Sequence, residues 1–251
     1  MEPPRTQEGR LLLVPTPLAD VAQTPLSDIL PQATIHAASA LHHWIVENAK
    51  TARAFLGAIH AVSPLRVPLQ QHVMAVLPKH SQLDRASTRS LLQAARNGQD
   101  IGLLSEAGAP CIADPGAAVV AAAHELGITV VPLVGPSSIL LGLMASGLDG
   151  QRFAFQGYLP VQAEARDATI RALERESAQR HQTQLCIETP YRNASLLLAM
   201  TRVLQPATRL TVACGLTGPQ AFVRTRTVEQ WRHEGIAMPE KIPALFGFLA
   251  D

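Results

Sequence analysis

Leu103-Leu104-Ser105-Glu106-Ala107-Gly108-Ala109-Pro110-Cys111-Ile112-Ala113-Asp114-Pro115-Gly116 is the stretch that decides the fold. β-Branched Ile101 heads an aliphatic run that gives way to small residues, a proline and an Asp-Pro-Gly turn. The alanine-rich run Ala117 to Leu126 follows at once. That order is strand, tight loop, helix. In an open α/β sheet such a loop lies at the carboxyl end of a strand, where a ligand crevice forms and backbone N–H groups at a helix start can face an anion. Small residues there let backbone approach a ligand closely.

The same grammar recurs on both sides. Leu11 to Val14 is a short apolar run closed by Pro15-Thr16-Pro17. Ile128 to Leu133 is β-branched and ends in Val134-Gly135-Pro136-Ser137-Ser138. Three strands ending in Gly/Pro/Ser loops, with Gly98 and Gly127 closing the helices before the second and third, indicate a parallel sheet with right-handed crossovers. Thr34 to Ala38 reads as a further strand, Ala40 to Leu56 as a helix ended by Gly57, and Asp84 to Asn97 as a helix capped by Asp84. Residues 58–83, interrupted by Pro64, Pro68 and Pro78, read as loop with one strand near Val73 to Leu77. After Gly147 the texture changes to a charged, solvated helix over Gln162 to Arg180, in which Glu174 pairs with nearby arginines. Strands over Gln184 to Ile187, Leu210 to Cys214, Ala221 to Arg224 and Ala244 to Leu249 follow, with helices over Ala194 to Leu204 and Val228 to His233. The expected domains are 1–136, with a parallel sheet, and 137–251, with a mixed one.

Composition narrows the function. A chain of 251 residues with 47% hydrophobic residues builds its core without staples. Three dispersed cysteines fit a reducing cytoplasm better than a disulfide framework. The start is polar, and neither a signal peptide nor a membrane span is expected. Lys plus Arg number 21 against 20 Asp plus Glu, so no broad positive field grips nucleic acid, and 4% aromatics disfavour stacking platforms. Gly-x-Gly-x-x-Gly, the Walker loop and Gly-x-Ser-x-Gly are absent, and the nine histidines lack metal-ligand spacing, so no metal is expected. Asp114 is placed either to cap the helix from Ala117 or to touch a ligand. Glu188-Thr189-Pro190-Tyr191-Arg192-Asn193, after a strand, packs more polar chemistry into one turn than a turn requires.

These segments carry a resemblance. Pro15-Thr16-Pro17, Ser105-Glu106-Ala107-Gly108-Ala109-Pro110, Asp114-Pro115-Gly116, Pro132 to Ser138, Ser146-Gly147-Leu148, Gly157-Tyr158-Leu159-Pro160 and Glu188 to Arg192 resemble, in order and spacing, the ribosomal RNA small-subunit methyltransferase I family. That family belongs to the S-adenosylmethionine-dependent tetrapyrrole-methylase superfamily. The resemblance implies two α/β domains of the tetrapyrrole-methylase type with the cofactor cleft between them, a homodimer, a cytoplasmic location, and ribosomal RNA or the small ribosomal subunit as partner. The subgroup is divergent: Glu47-Asn48-Ala49-Lys50 and Ser105-Glu106-Ala107-Gly108-Ala109-Pro110 depart from the family's Glu-Asp-Thr-Arg and Ser-Asp-Ala-Gly-Thr-Pro.

The positions that match the cofactor loops are Thr16, Pro17, Ser105, Gly108, Ala109, Pro110, Ile112, Asp114, Ser137, Ser138, Thr189, Pro190, Tyr191, Ala213 and Leu216. The implied reaction is 2′-O-methylation of a cytidine ribose. Glu106 and Glu188 are the candidate proton acceptors, and Arg192 or Lys50 the candidate phosphate contact. Methylation of a small molecule such as a tetrapyrrole is the alternative, with Arg192 facing a substrate carboxylate, and a non-catalytic cofactor-binding module is the third reading. An RNA enzyme is expected to gather Arg53, Arg66, Lys79, Arg85 and Arg89 beside the cleft mouth.

Overall fold

The computed structural model describes residues 8–19, 24–78, 84–234, 238 and 242–250. The chain divides into two compact units, Met1–Ser137 and Ser138–Asp251.

The first unit is built on β1 (Leu11–Val14), α1 (Gln32–Ser39), β2 (His43–Val46), α2 (Ala49–Val62), β3 (Val73–Val76), α3 (Arg85–Leu91), α4 (Gln93–Arg96), β4 (Ile101–Leu104), α5 (Ala117–Glu125) and β5 (Val130–Pro132). Its five strands run in the order β3-β2-β4-β1-β5, every neighbouring pair parallel. Side chains alternate between faces. Leu12, Val14, Trp44, Val46 and Leu104 pack with α1 and α2, while Leu11, Ile45, Ile101 and Leu103 pack with Leu92, Val119 and Ala123. Burial on both faces explains why β1 and β4 are continuous apolar runs. Edge strand β3 leaves Val73 and Val76 about half exposed.

Three elements differ from the sequence expectation. Residues 34–38 lie in α1, not a strand. Pro31 precedes the helix, and the Thr34 hydroxyl donates to the Val134 carbonyl at 2.8 Å, so β-branched Thr34 and Ile35 face the sheet from a helix. The helix read over 40–56 is instead β2 followed by α2. Asn48 starts α2 by accepting the Lys50 N–H at 2.9 Å, and Gly57 lies inside it with open space around its α-carbon. The helix read over 84–97 breaks at Leu92 into α3 and α4, with Asp84 capping the first through Ser87 N–H at 2.6 Å.

The second unit comprises α6 (Ser138–Ser146), β6 (Phe153–Tyr158), α7 (Ala163–Arg180), β7 (Thr183–Glu188), a 3-10 turn Pro190–Arg192, α8 (Asn193–Val203), β8 (Arg209–Cys214), β9 (Phe222–Thr227), α9 (Val228–Glu234) and β10 (Ala244–Leu249). Its sheet, β6-β7-β10-β8-β9, is mixed: β6 and β7 are parallel and the other pairs antiparallel. Central β10 is buried throughout. One face packs Phe246 and Phe248 with α7, α8 and α9, and the other packs Leu245 with Ile139 and Leu143 of α6. The charged helix α7 is not wholly a solvated face. Buried Glu174 accepts Gln205 N–H at 2.7 Å and the Thr208 hydroxyl at 2.6 Å, tying α7 to the turn before β8 instead of pairing with arginine.

Candidate functional site

In the first unit β1 and β4 are neighbours, and their connections leave for opposite faces of the sheet: β1 continues to α1 and β4 to α5. Their carboxyl ends therefore flank a topological switch point, where open α/β sheets bind ligands. The two loops there are locked together. Thr16 N–H donates to Gly108 O at 2.9 Å, Gly108 N–H returns to Thr16 O at 3.1 Å, and the Ser105 hydroxyl donates to Gly108 O at 3.0 Å. Thr16, Ser105 and Pro110 are buried and Ala109 half-buried, so these positions shape the loop. Gly108 has φ +76°, and an added Cβ would lie 2.9 Å from Leu18, so glycine is required.

Beyond the lock the loop is strained. Cys111 and Ala113 hold φ of 68° and 65°, conformations costing about 1–3 kcal/mol each that cluster at ligand sites. Ile112 between them is 49% exposed. Cys111 is no nucleophile: burial, with Asp114 adding to it, pushes its thiol up to about 11.

Three carboxylates meet here. Glu47, just after β2, accepts Glu106 N–H at 3.2 Å, Glu106 accepts the Thr51 hydroxyl at 2.5 Å, and Asp114 Oδ2 is buried and, among the described residues, without a hydrogen-bond partner. Asp114 does not cap α5, whose first position is preceded by Gly116 with no side-chain cap. Burial, then repulsion from Glu47 and Glu106, pushes the Asp114 carboxyl up from 3.8 to about 7. Glu47 and Thr51 were not legible as site residues, because only the pairing of β2 with β4 brings them beside Glu106.

The folded state retains the Asp114 proton between about pH 4 and 7, so stability falls as pH rises through that window and levels off above it. The full shift would be worth about 4 kcal/mol, which partial exposure and screening reduce to roughly 1–2 kcal/mol. Asp114→Asn should therefore be the more stable protein at pH 8 by that amount and nearly equal at pH 4, measured by urea unfolding across pH. An unchanged pH dependence would mean that Asp114 does not carry the proton.

In the second unit the Glu188 side chain is 1% exposed at the end of β7. Its Oε1 accepts Thr189 N–H at 2.7 Å, and its Oε2 accepts from the Arg192 guanidinium, which also donates to Leu159 O at 3.2 Å. Both oxygens are thus committed. Tyr191 is 88% exposed, Thr189 exposed and Pro190 half-buried. Ala213 is buried against α6 with Leu216 packed beside it, and Ser137 and Ser138 are half-buried where α6 begins. Of the basic residues expected to face RNA, Arg85 pairs with Glu125 at 2.9 Å, Arg53 reaches back to Ala49 O at 3.4 Å, Arg66 and Arg89 are exposed, and Lys79 lies outside the described residues. Among the described residues no helix is long and apolar enough to cross a membrane.

The fold and the switch-point loops define a class. The chain belongs to the tetrapyrrole (corrin/porphyrin) methylase family, whose model matches residues 31–231. Proteins named ribosomal RNA small subunit methyltransferase I are among its relatives. It is 32% identical to that of Escherichia coli O157:H7 over 84% of this chain and 66% of the relative, and 31% identical to that of Mesorhizobium japonicum over 90% and 70%. The Synechocystis relative is 36% identical over 59% of this chain and 53% of its own length. The chain thus matches between about half and 70% of these relatives' length. Among solved structures, the methyltransferase CobJ superposes with TM-score 0.60 at 14% identity, covering 96% of this chain and 94% of that one. Uroporphyrin-III C-methyltransferase from Thermus thermophilus, complexed with S-adenosyl homocysteine, superposes with TM-score 0.53 at 16% identity, covering 96% and 97%.

Proposed function

We propose that this protein is an S-adenosylmethionine-dependent methyltransferase acting on a cytidine 2′-hydroxyl of small-subunit ribosomal RNA, as a cytoplasmic homodimer. The observation that carries the reading is the locked, strained loop pair at the switch point, in a chain whose relatives are named for ribosomal RNA methylation. Identities of 31–36% to those relatives, against 14–16% to the corrin and porphyrin enzymes, favour RNA over a small tetrapyrrole. In support of a dimer, Leu140 and Met144, one turn apart on α6, are 54% and 80% exposed.

The residues of the first unit suit the cofactor. Half-buried Ala109 presents only a small side chain, exposed Ile112 offers an apolar wall, and the carboxylates of Glu47, Glu106 and Asp114 suit a cationic ligand. Ser138, Thr189, Pro190, Tyr191, Ala213 and Leu216 are the second unit's part of the proposal. When bound, S-adenosylmethionine supplies a methyl group on a positive sulfur: the acceptor oxygen bonds to that carbon as the carbon–sulfur bond breaks, the electron pair stays on sulfur, and the hydroxyl proton must leave. Glu106 is exposed, with Oε2 outside its bond to Thr51, and takes that proton. Arg192 holds Glu188 and the turn Thr189 to Tyr191 in place, and positioning supplies most of the acceleration.

The test is calorimetric titration with S-adenosylmethionine, on the wild type and on Ser137→Trp, whose indole fills the proposed site. Micromolar binding lost in the variant supports the cofactor assignment, and transfer of label to hypomethylated small subunits then supports the acceptor. A folded wild type that does not bind rejects the methyltransferase reading. Binding without transfer to RNA, but with transfer to a tetrapyrrole, replaces the acceptor.

A further inference from the structure

A groove of about 670 Å³ runs along α8 in the second unit, lined by Arg166 of α7, Ser195, Leu198 and Arg202 of α8, and Arg232 of α9. Among the described residues three guanidinium groups line it and no carboxylate does. Each guanidinium has donors to spare. Arg202 uses Nη2 alone on Asp167, at 2.7 and 2.9 Å, leaving Nε and Nη1 outside those bonds. Arg232 is fixed by Nε on Thr201 O at 2.7 Å and Nη2 on Leu204 O at 3.0 Å, which leaves Nη1. The Arg166 Nε is shut away from water and, among the described residues, has no hydrogen-bond partner. A shielded donor left unbonded is costly and rare in folded proteins, so Arg166 is held there at a cost, and it is the remainder of its guanidinium that faces the groove it lines. Beside it, the Ser195 hydroxyl donates to Arg192 O at 3.0 Å and keeps its acceptor side, and Leu198 is 69% exposed as an apolar surface within the basic rim.

We infer that this groove is a docking surface for the phosphodiester backbone of RNA. Planar guanidinium forks match phosphate oxygens in bidentate geometry, and Leu198 offers contact to a sugar between them. The chain carries nearly balanced charge overall, so a local concentration of this kind, rather than a global field, has to hold the polyanion. The choice of RNA over another polyanion rests on the function proposed above. The groove begins at Ala194 and Ser195, directly after the turn Pro190–Arg192, whose Arg192 holds Glu188, so RNA held along α8 is registered against that turn. Backbone contacts of this type fix orientation and carry no sequence information.

The experiment is fluorescence anisotropy of the full chain with a fluorescein-labelled small-subunit RNA hairpin over a potassium chloride series. Arg166→Gln is expected to weaken binding roughly 3- to 10-fold at low salt and to reduce the salt slope by about 0.7–0.9, the loss of one phosphate contact. Arg166→Lys should restore the slope. Leu198→Glu, on an exposed position that leaves the core untouched, should weaken binding about tenfold by placing a carboxylate in the groove. Calorimetric S-adenosylmethionine binding should be unchanged in all three. Wild-type affinity and slope in both Arg166→Gln and Leu198→Glu would overturn the groove and leave the RNA reading standing. Competition by polyglutamate as effective as by RNA would overturn the choice of partner. A wild type that binds S-adenosylmethionine but no RNA would overturn both groove and RNA acceptor, and leave the methyltransferase reading intact.

Discussion

Arg192→Met is expected to destabilise the protein by about 3–5 kcal/mol, the cost of stranding a buried charge. With the guanidinium gone, the Glu188 carboxylate, 1% exposed, keeps only Thr189 N–H, and Leu159 O loses its donor. For a chain of this size the loss corresponds to a fall in melting temperature on the order of 10 °C. The double variant Glu188→Gln/Arg192→Met should recover most of it, because a neutral amide can still accept from Thr189 N–H and no charge is left behind. Urea unfolding of the wild type, the single variants and the double closes the cycle, with a coupling of at least about 2 kcal/mol expected. A loss below about 1 kcal/mol in Arg192→Met would mean that water reaches Glu188 and that the pair does not hold the turn. The double variant also separates two roles. If it is stable and binds S-adenosylmethionine but transfers no methyl group, the pair touches the reacting groups; if it keeps activity, the pair only shapes the turn.

Much of this architecture was legible because the local signals agreed with one another. At β1, β4 and the approach to β5, aliphatic runs stop at Pro15, Ser105 and Gly135, and alternative periodicities are weak. In the second unit the helices over 163–180, 193–203 and 228–234 begin and end within a residue or two of their sequence expectation. What escaped depended on long-range partners. Thr34 and Ile35 have strand-like side chains, but the Thr34 hydroxyl finds Val134 O 100 positions away. Glu174 looks like any exposed glutamate until Gln205 and Thr208 arrive beside it. The switch point itself is a property of strand order, which no local pattern encodes, so the sequence shows the loops after β1 and β4 as small-residue strand-end loops without showing Glu47 beside them.

Trp44→Ala is expected to cost about 3–5 kcal/mol, and the reason is also why β2 reads as helix from its sequence. Leu41, Trp44, Ile45 and Ala49 satisfy helical spacing, yet Trp44 lies in a strand, 2% exposed, directly opposite Gly102 of β4. The indole occupies the space that a side chain at 102 would take: a Cβ there would lie 2.5 Å from the ring and 2.9 Å from Leu41. The indole N–H also donates to His72 Nδ1 at 3.1 Å, so truncation leaves that buried nitrogen without its donor as well as a cavity. Because Glu47 directly follows β2 and Ser105 directly follows β4, loosening this pair moves the contact between Glu47 and Glu106, and cofactor affinity should fall with stability. The converse substitution, Gly102→Ala, should cost about 1–3 kcal/mol in the wild type through overpacking, and much less in a Trp44→Leu background, where the ring is gone. Urea melts and calorimetric titration of the four proteins decide the matter: equal costs of Gly102→Ala in both backgrounds would mean that the backbone of β4, and not the Trp44 ring, excludes the side chain.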